Sequence, residues 1–257
     1  MEDIIRNKEY RLYILDGHGT CCSDDPLNLL PQAARCKSPQ DCLLTAHEGG
    51  MSSPQSSSMT IPQHIIVGGN ACVNMVVLVL PGVSCEVKIN VELVGEGAEA
   101  NIYGAYICAG QEKVKIVVDM HHKVPHCNSR QLFKGIAGGS SKVDFYGKII
   151  VAKDAQRTEA YQENHNLLLS DGAKVDTKPQ LEIYADDVKC SHGATIGRLN
   201  EEEQFYMRSR GITLEDAKVL QMISFVAPVL ENIEGEAERE EITAALETAI
   251  RNIVHNQ

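Results

Sequence analysis

A cysteine and a histidine two residues apart form the pair of side chains best suited to metal chemistry. Cys190 and His192 lie in the segment 189–195, which reads KCSHGAT. Alternate residues of a β-strand point to the same face, so a thiolate and an imidazole would lie side by side there. That combination of donors suits iron or zinc. The pair alone leaves open a second interpretation, a small buried cysteine beside a hydrogen-bonded histidine.

Four cysteines near the N-terminus are a weaker candidate for a metal site. Cys21 and Cys22 are adjacent, 13 residues separate Cys22 from Cys36, and 5 residues separate Cys36 from Cys42. These spacings match none of the usual zinc patterns, so a metal site is not favoured there.

A second histidine-rich stretch lies in the middle of the chain. His121, His122, His126 and Cys127 fall within seven residues and could in principle ligate a metal ion. Pro125 favours an extended bend at this point and makes a chelating helix unsuitable. We therefore interpret the stretch as a structural corner rather than as a metal site.

The elements that would position Cys190 and His192 follow a regular rhythm. Turn-like anchors fall at residues 82, 97, 110, 139, 154, 171 and 187, with gaps of 15, 13, 29, 15, 17 and 16. Between the turns, polar and apolar residues alternate as in a strand, for example in VKINVEL at 87–93. A unit of this length cannot bury its own core and must stack on its neighbours, which predicts a β-solenoid. An antiparallel sandwich with regular turns is the alternative.

The chain after residue 200 has the periodicity of helices. Asn200 followed by Glu203 resembles a capping box, and Thr213 is a suitable N-cap for a second helix. The apolar stripe predicted for that helix consists of Leu214, Ala217, Leu220, Ile223, Ala227 and Leu230. The last helix carries a stripe made of Ile242, Ala245, Leu246, Ala249, Ile250 and Ile253. These helices either cap the solenoid or offer an apolar surface to a partner.

Composition narrows the class of protein. The 257 residues carry a net charge of −11, which disfavours binding to nucleic acid or to an anionic membrane. No apolar run approaches the length of about 18 residues that a membrane span needs. Nine cysteines without a regular framework, and a start that does not resemble a signal peptide, favour a reducing cytoplasm.

Three regions follow from these patterns. Residues 1–60 form a short N-terminal segment with a predicted strand at 10–15 and a flexible Cys- and Ser-rich loop. Within that segment, residues 45–60 have the composition of a chain without regular structure. Residues 61–199 form the β-helix core, and residues 200–257 form the helical region.

Four ordered blocks of sequence resemble the SufB/SufD family of iron–sulfur cluster assembly proteins. They are PHCNSRQLFKG at 125–135, NLLLS at 166–170, TKPQLEIYADDVKCSHGAT at 177–195 and QFYMRSRGI at 204–212. The chain looks most like a short form of the SufD branch. Where SufB proteins usually carry a Cys-Asp-Ser motif, this chain has Asn164-His165-Asn166-Leu167-Leu168 and lacks the cysteine, and Gly193 stands where SufB has Glu. The resemblance implies a right-handed parallel β-helix followed by a C-terminal helical region.

The resemblance also implies a scaffold that catalyses no reaction itself and binds no nucleotide. Family members pair with a SufB-type subunit or with a second copy, and a SufC-type ATPase drives the complex. A transient iron–sulfur cluster forms at the subunit interface. By resemblance, His192, with Cys190 beside it, is a transient ligand of that cluster.

The C-terminal helices are the part that binds the ATPase in this family. From the resemblance and the apolar stripe of the last helix, we expect docking at Leu246, Ile250, Phe205 and Tyr206.

Two other functions stay open on the sequence alone. A shortened paralogue could act only as an interaction protein. An enzyme acting on polysaccharides could use the same β-helix, but Asp186 and Asp187 are adjacent and would face opposite sides of a strand, and the chain has no Trp.

Overall fold

The computed structural model describes residues 3–16, 19–22 and 64–255. Thirteen strands in these residues form two sheets, and three helices follow them. The strands are β1 (Asp3–Ile5), β2 (Lys8–Asp16), β3 (Gly19–Cys22), β4 (Ile65–Val67), β5 (Cys72–Val79), β6 (Cys85–Leu93), β7 (Glu99–Cys108), β8 (Lys113–His122), β9 (Asn128–Ala137), β10 (Lys142–Val151), β11 (Glu159–Leu168), β12 (Lys174–Ile183) and β13 (Lys189–Gly197). The helices are α1 (Glu201–Ser209), α2 (Leu214–Leu230) and α3 (Glu236–His255).

From β4 onward, consecutive strands alternate between the two sheets, and each strand pairs in parallel with the one that follows a full coil later. The six-stranded sheet has the order β1-β4-β6-β8-β10-β12, and the seven-stranded sheet has the order β13-β11-β9-β7-β5-β2-β3. Stacked residues such as Gln131 and Gln162 are 31 positions apart, and Glu159 and Lys189 are 30 apart. The interval near 15 residues therefore corresponds to half a coil. The prediction of a parallel β-solenoid followed by helices is confirmed, and the antiparallel sandwich is wrong.

The first strands of the chain belong to the same solenoid. β2, which contains the strand predicted at 10–15, pairs in parallel with β5, and β1 pairs in parallel with β4. The solenoid thus uses residues on both sides of the boundary that the sequence placed at residue 60. Cys21 and Cys22 lie on β3, which is antiparallel to β2. The prediction for residues 45–60, and Cys36 and Cys42, lie outside the described residues.

Alternation along the strands produces the interior, which we call the bore. On β8, for example, Val114, Ile116, Val118 and Met120 point inward and are buried. The aromatic rings of Phe133 and Phe145 meet across the bore with centroids 5.0 Å apart. Burial of these inward rows is the main favourable contribution to folding, because it removes apolar surface from water.

A buried carboxylate connects the turns of successive coils. Glu112 Oε1 accepts hydrogen bonds from the backbone N–H of Gly82 at 2.9 Å and of Ala109 at 3.2 Å, and its Oε2 accepts one from Gly110 at 2.6 Å. Burial acts to raise the pKa of this carboxyl, but the backbone donors outweigh burial and hold the pKa below its usual range. The ionised side chain therefore stabilises the stacking of two coils.

The helices begin where the sequence predicts and pack on the outside of the solenoid. The side chain of Asn200 caps α1 by accepting from the backbone N–H of Glu202 and Glu203, and Thr213 caps α2. Helices α2 and α3 form a second core on the outer face of the seven-stranded sheet, using residues such as Met222 and Val226. Leu214 and Leu220, which the pattern placed on the buried stripe of α2, are exposed. None of the helices in the described part of the chain is long and apolar enough to cross a lipid bilayer.

We expect Glu112→Gln to lower the free energy of unfolding at pH 7 by about 2 kcal/mol, because the amide turns a donor toward backbone N–H groups. The depressed pKa means that this stabilisation is present above the ordinary glutamate pKa of 4.5 and is lost as the pH falls below it. Urea unfolding followed by circular dichroism at pH 7 and pH 4 measures both effects. Glu240→Gln, at an exposed position of α3, is the control and should leave the midpoint unchanged. A variant difference that stays constant between the two pH values would contradict the role of the ionised carboxylate.

Candidate functional site

Cys190 and His192 lie on the strand that ends the solenoid. β13 is the terminal strand of the seven-stranded sheet, and among the described strands it pairs only with β11, which places Cys190 beside Ala160 and His192 beside Gln162. β12 ends the six-stranded sheet in the same way. The backbone N–H and C=O groups along the outer edges of both strands therefore have no strand partner within the residues described.

Both side chains of the pair face the bore. Cys190 packs against the interior core cluster, and His192 lies two residues further along the same strand. In register, Cys190 continues the inward row that contains Ser129 and Ala160. Because β13 pairs with β11 in unbroken register over these residues, the thiol and the imidazole lie on one strand face.

The bore is open at this end. Inward residues of β10 and β11, such as Phe145 and Gln162, are fully buried, whereas inward Thr177 on β12 is half-buried and His192 is exposed. No further coil covers β12 and β13 in the described structure. The pair is therefore accessible from the end of the solenoid.

Cys190 and His192 differ in their surroundings. Cys190 is half-buried, and burial raises the pKa of its thiol, with a partly opposing contribution from a backbone hydrogen bond with Ala160. His192 is exposed and has no hydrogen bond to another described residue. The thiol becomes a ligand only after it loses its proton, which the positive charge of a metal promotes.

Several inward positions of β9 and β11 near this end of the bore carry polar residues. Gln162 Nε2 donates to Gln131 Oε1 at 2.8 Å, and both residues are 1% exposed. The Tyr106 hydroxyl donates to Asn166 Oδ1 and accepts from Asn164 Nδ2 at 3.1 Å. Sequence reasoning missed these residues, although the signal was present: Gln131 and Gln162 occupy positions where alternation requires an inward side chain.

The histidine-rich stretch is divided between the end of β8 and the turn that follows it. His121 and His122 are adjacent on β8 and so face opposite sides; His122 is buried and its Nε2 lies 2.8 Å from Ser129 Oγ. His126 occupies the turn with a positive φ of 59°, and Cys127 is buried with its Sγ 3.4 Å from the carbonyl oxygen of Gly95. Across residues 3–16, 19–22 and 64–255, no three His, Cys, Asp or Glu side chains form a group that could hold a metal ion.

The four residues expected to dock the ATPase divide into two pairs. Leu246 and Ile250 are 2% and 0% exposed, because the stripe of α3 packs into the chain's own second core. They are not available to a partner in this structure, which corrects the expectation for these two residues. Phe205 and Tyr206 on α1 are 72% and 60% exposed. Tyr206 borders a groove between α1 and α2 that Leu220 and Gln221 also line.

We expect His192→Ala to leave the melting temperature unchanged, because the side chain is exposed and makes no hydrogen bond to a described residue. His122→Ala is the contrasting variant and should cost about 1–3 kcal/mol, since it leaves Ser129 without its partner. Burial lowers the pKa of His122 from 6.5 to about 4, so the wild type should lose stability as the pH falls through this interval. His122→Ala should lack that loss. A large drop in melting temperature for His192→Ala would show that His192 is structural.

Comparison with known proteins agrees with this architecture. The family model described as "SUF system FeS cluster assembly, SufBD core domain" matches residues 53–225. The iron–sulfur cluster assembly protein SufD of Escherichia coli is 46% identical over 127 residues, which cover 49% of this chain and 30% of that protein. A SufBD family protein of Mycobacterium leprae is 31% identical over 192 residues, which cover 72% of this chain and 49% of the relative.

A SufBD family protein of Synechocystis is 41% identical over 142 residues, which cover 54% of this chain and 30% of the relative. The chain thus spans half or less of the length of these relatives. The family model nevertheless matches well over half of the chain and includes both Cys190 and His192. The chain belongs to the SufBD core domain family of the SUF system for iron–sulfur cluster assembly.

Proposed function

We propose that this chain is a SufD-type scaffold subunit on which an iron–sulfur cluster is assembled. In this proposal it pairs with a SufB-type subunit or with a second copy of itself, and a SufC-type ATPase drives the complex. The chain supplies binding surfaces and ligands, while nucleotide hydrolysis takes place on the ATPase. The observation that carries the proposal is the joint position of Cys190 and His192 on the inward face of β13, at the open end of the bore.

The donor set suits a cluster that is the cargo of the complex rather than a resident cofactor. A thiolate and a neutral imidazole both bind iron, and ligation by fewer than four thiolates makes a cluster easier to release. Two donor side chains are too few to ligate a cluster by themselves. In this proposal the remaining ligands come from the partner subunit or from the protein that receives the cluster. Because the pKa of the Cys190 thiol is raised, cluster binding is accompanied by release of a proton.

The open end of the solenoid supports pairing with a second β-solenoid. Along the outer edges of β12 and β13, the backbone groups have no partner among the described strands, so another chain's strands can add there. Exposed apolar side chains lie on or directly after these two strands: Ile183, Tyr184 and Ile196. A partner joined at this end would bury them and enclose Cys190 and His192 at the interface.

Helix α1 supports the docking of the ATPase. Phe205 and Tyr206 are adjacent large aromatic residues that remain mostly exposed, and exposed aromatic residues are frequent anchors of protein interfaces. The neighbouring groove between α1 and α2 contains Met207 and Leu220. These residues replace Leu246 and Ile250 as the proposed docking surface.

For the cluster, we expect His192→Ala to reduce iron and sulfide in the purified complex at least tenfold while the complex still assembles. Cys190→Ala should give a similar or smaller loss. Anaerobic reconstitution with the SufB-type and SufC-type proteins, followed by iron and acid-labile sulfide analysis, measures the effect. His121→Ala, on the outer face of β8, is the matched control and should retain the full cluster content. Full cluster content in His192→Ala would reject the assignment.

For docking, we expect the double variant Phe205→Asp and Tyr206→Asp to lose co-purification with the ATPase, because it places two charges on the proposed contact surface. Its circular dichroism spectrum should match the wild type, since both positions are exposed. Ile4→Asp, at an exposed apolar position on β1, is the control and should still co-purify. Retention of the ATPase by the folded double variant would place the docking surface elsewhere.

A protein that only binds partners, without carrying a cluster, is the second candidate. The reconstitution separates the two. A wild-type complex that contains the ATPase but accumulates no cluster would support the interaction protein and reject the scaffold.

A further inference from the structure

Gln162 lies directly next to His192 in the bore. The two residues stand opposite each other in the parallel pairing of β11 and β13. Their side chains point to the same side of the sheet, and neighbouring strands are about 4.8 Å apart. The row continues away from the open end to Gln131 on β9 and Ile102 on β7. Gln162 is therefore the fully buried polar residue immediately behind the exposed imidazole.

The amide of Gln162 is held on two sides. Its Nε2 donates to Gln131 Oε1 at 2.8 Å. From the opposite sheet, the backbone of Gly147 approaches so closely that a Cβ at that position would lie 2.3 Å from Nε2. A residue larger than glycine would push the amide out of place. The side chain therefore has little freedom, and its Nε2 is committed to Gln131.

This arrangement leaves Gln162 Oε1 as a buried acceptor without a donor among the described residues. A buried carbonyl oxygen without a partner is costly, so such groups usually receive a hydrogen bond in the functional state. The next position of the row toward the open end is His192, whose neutral imidazole carries one N–H. The ring is exposed and makes no hydrogen bond to a described residue.

We propose that Gln162 is a positioning residue for His192. Gln162 Oε1 accepts a hydrogen bond from one ring nitrogen of His192, which selects one neutral tautomer and directs the lone pair of the other nitrogen to the open end of the bore. This inference rests on the proposed function, because the exposed nitrogen is the one that would ligate iron. Such partners behind a ligating histidine orient the ring and select its tautomer.

A glutamine suits this position better than a carboxylate would. A neutral amide accepts the ring N–H without favouring the imidazolium form, whereas an adjacent carboxylate stabilises the doubly protonated ring. Only the neutral ring retains a lone pair for iron. A neutral amide is therefore a suitable partner for orienting the His192 ring.

The test uses the metal-free full-length chain labelled with nitrogen-15 histidine. Long-range proton–nitrogen correlation spectra at pH 8 report the tautomer of each neutral imidazole, and His192→Ala identifies the signals of His192. A hydrogen bond of ordinary net strength predicts about a fivefold change in the tautomer ratio of His192 between the wild type and Gln162→Leu. Gln162→Glu, which keeps an acceptor oxygen, should retain the wild-type ratio in its neutral imidazole.

Gln131→Leu is the matched control, since Gln131 is equally buried in the same row but one strand further from His192. It should change the tautomer ratio less than Gln162→Leu does. The same His192 tautomer ratio in the wild type and in Gln162→Leu, or equal changes in Gln162→Leu and Gln131→Leu, would overturn the proposal. If Gln162→Leu does not fold, Gln162→Met, which also removes the amide oxygen, takes its place.

Failure of the scaffold function gives a different result. Because the spectra require neither cluster nor partner, a tautomer preference that depends on Gln162 stands even when the wild-type complex accumulates no iron. Conversely, a Gln162→Leu complex that loses the preference but accumulates as much iron and sulfide as the wild type would overturn the positioning role alone.

Discussion

Parallel hydrogen bonding between each strand and the strand one coil later is the interaction on which the rest of the molecule depends. The pairing continues in register from β6 through β8 and β10 to β12, without a shift that would exchange inward and outward residues. Since side chains alternate along a strand, this constant register assigns every residue to the bore or to the outside. Residues paired in register therefore form rows across each sheet, and all the side chains of one row point either into the bore or outward. The buried apolar rows stabilise the stack, and the turns, connected by groups such as Glu112, keep the coils aligned.

The candidate site, Cys190 and His192, lies where that stacking ends. Each inner coil is covered on both sides, but β12 and β13 have a strand neighbour on one side only in the described structure. Backbone groups at these edges have no described strand partner, inward side chains are half-buried or exposed, and several inward positions of β9 and β11 are polar. The row Ile102, Gln131, Gln162, His192 shows the change within a single line of residues. Burying the two amides costs desolvation free energy. The proposed hydrogen bond from His192 would offset part of that cost.

The outer face of the seven-stranded sheet limits which helical surfaces remain available. Residues such as Leu78 and Ile107 point outward from strands and would be exposed if α2 and α3 did not cover them. The apolar stripe of α3, including Leu246 and Ile250, is buried in the same cluster as these sheet residues. Helix α1 buries only Gln204 and keeps its two aromatic residues exposed. Helices α2 and α3 therefore use their apolar faces to cover the sheet, whereas α1 leaves its aromatic side chains accessible.

Local sequence determined a large part of this protein. Strand alternation and turn spacing predicted a solenoid, the caps at Asn200 and Thr213 predicted the helix starts, and the spacing of Cys190 and His192 predicted their common face. These features depend on neighbours within a few residues, which the sequence displays directly. Tertiary structure alone decided which apolar stripe is buried, that β1 and β2 join the solenoid, and that Gln162 lies beside His192. These contacts join residues that are about one coil or more apart in sequence. They depend on the register of the stacked strands and on which helical face packs against the sheet. A local sequence pattern contains neither kind of information.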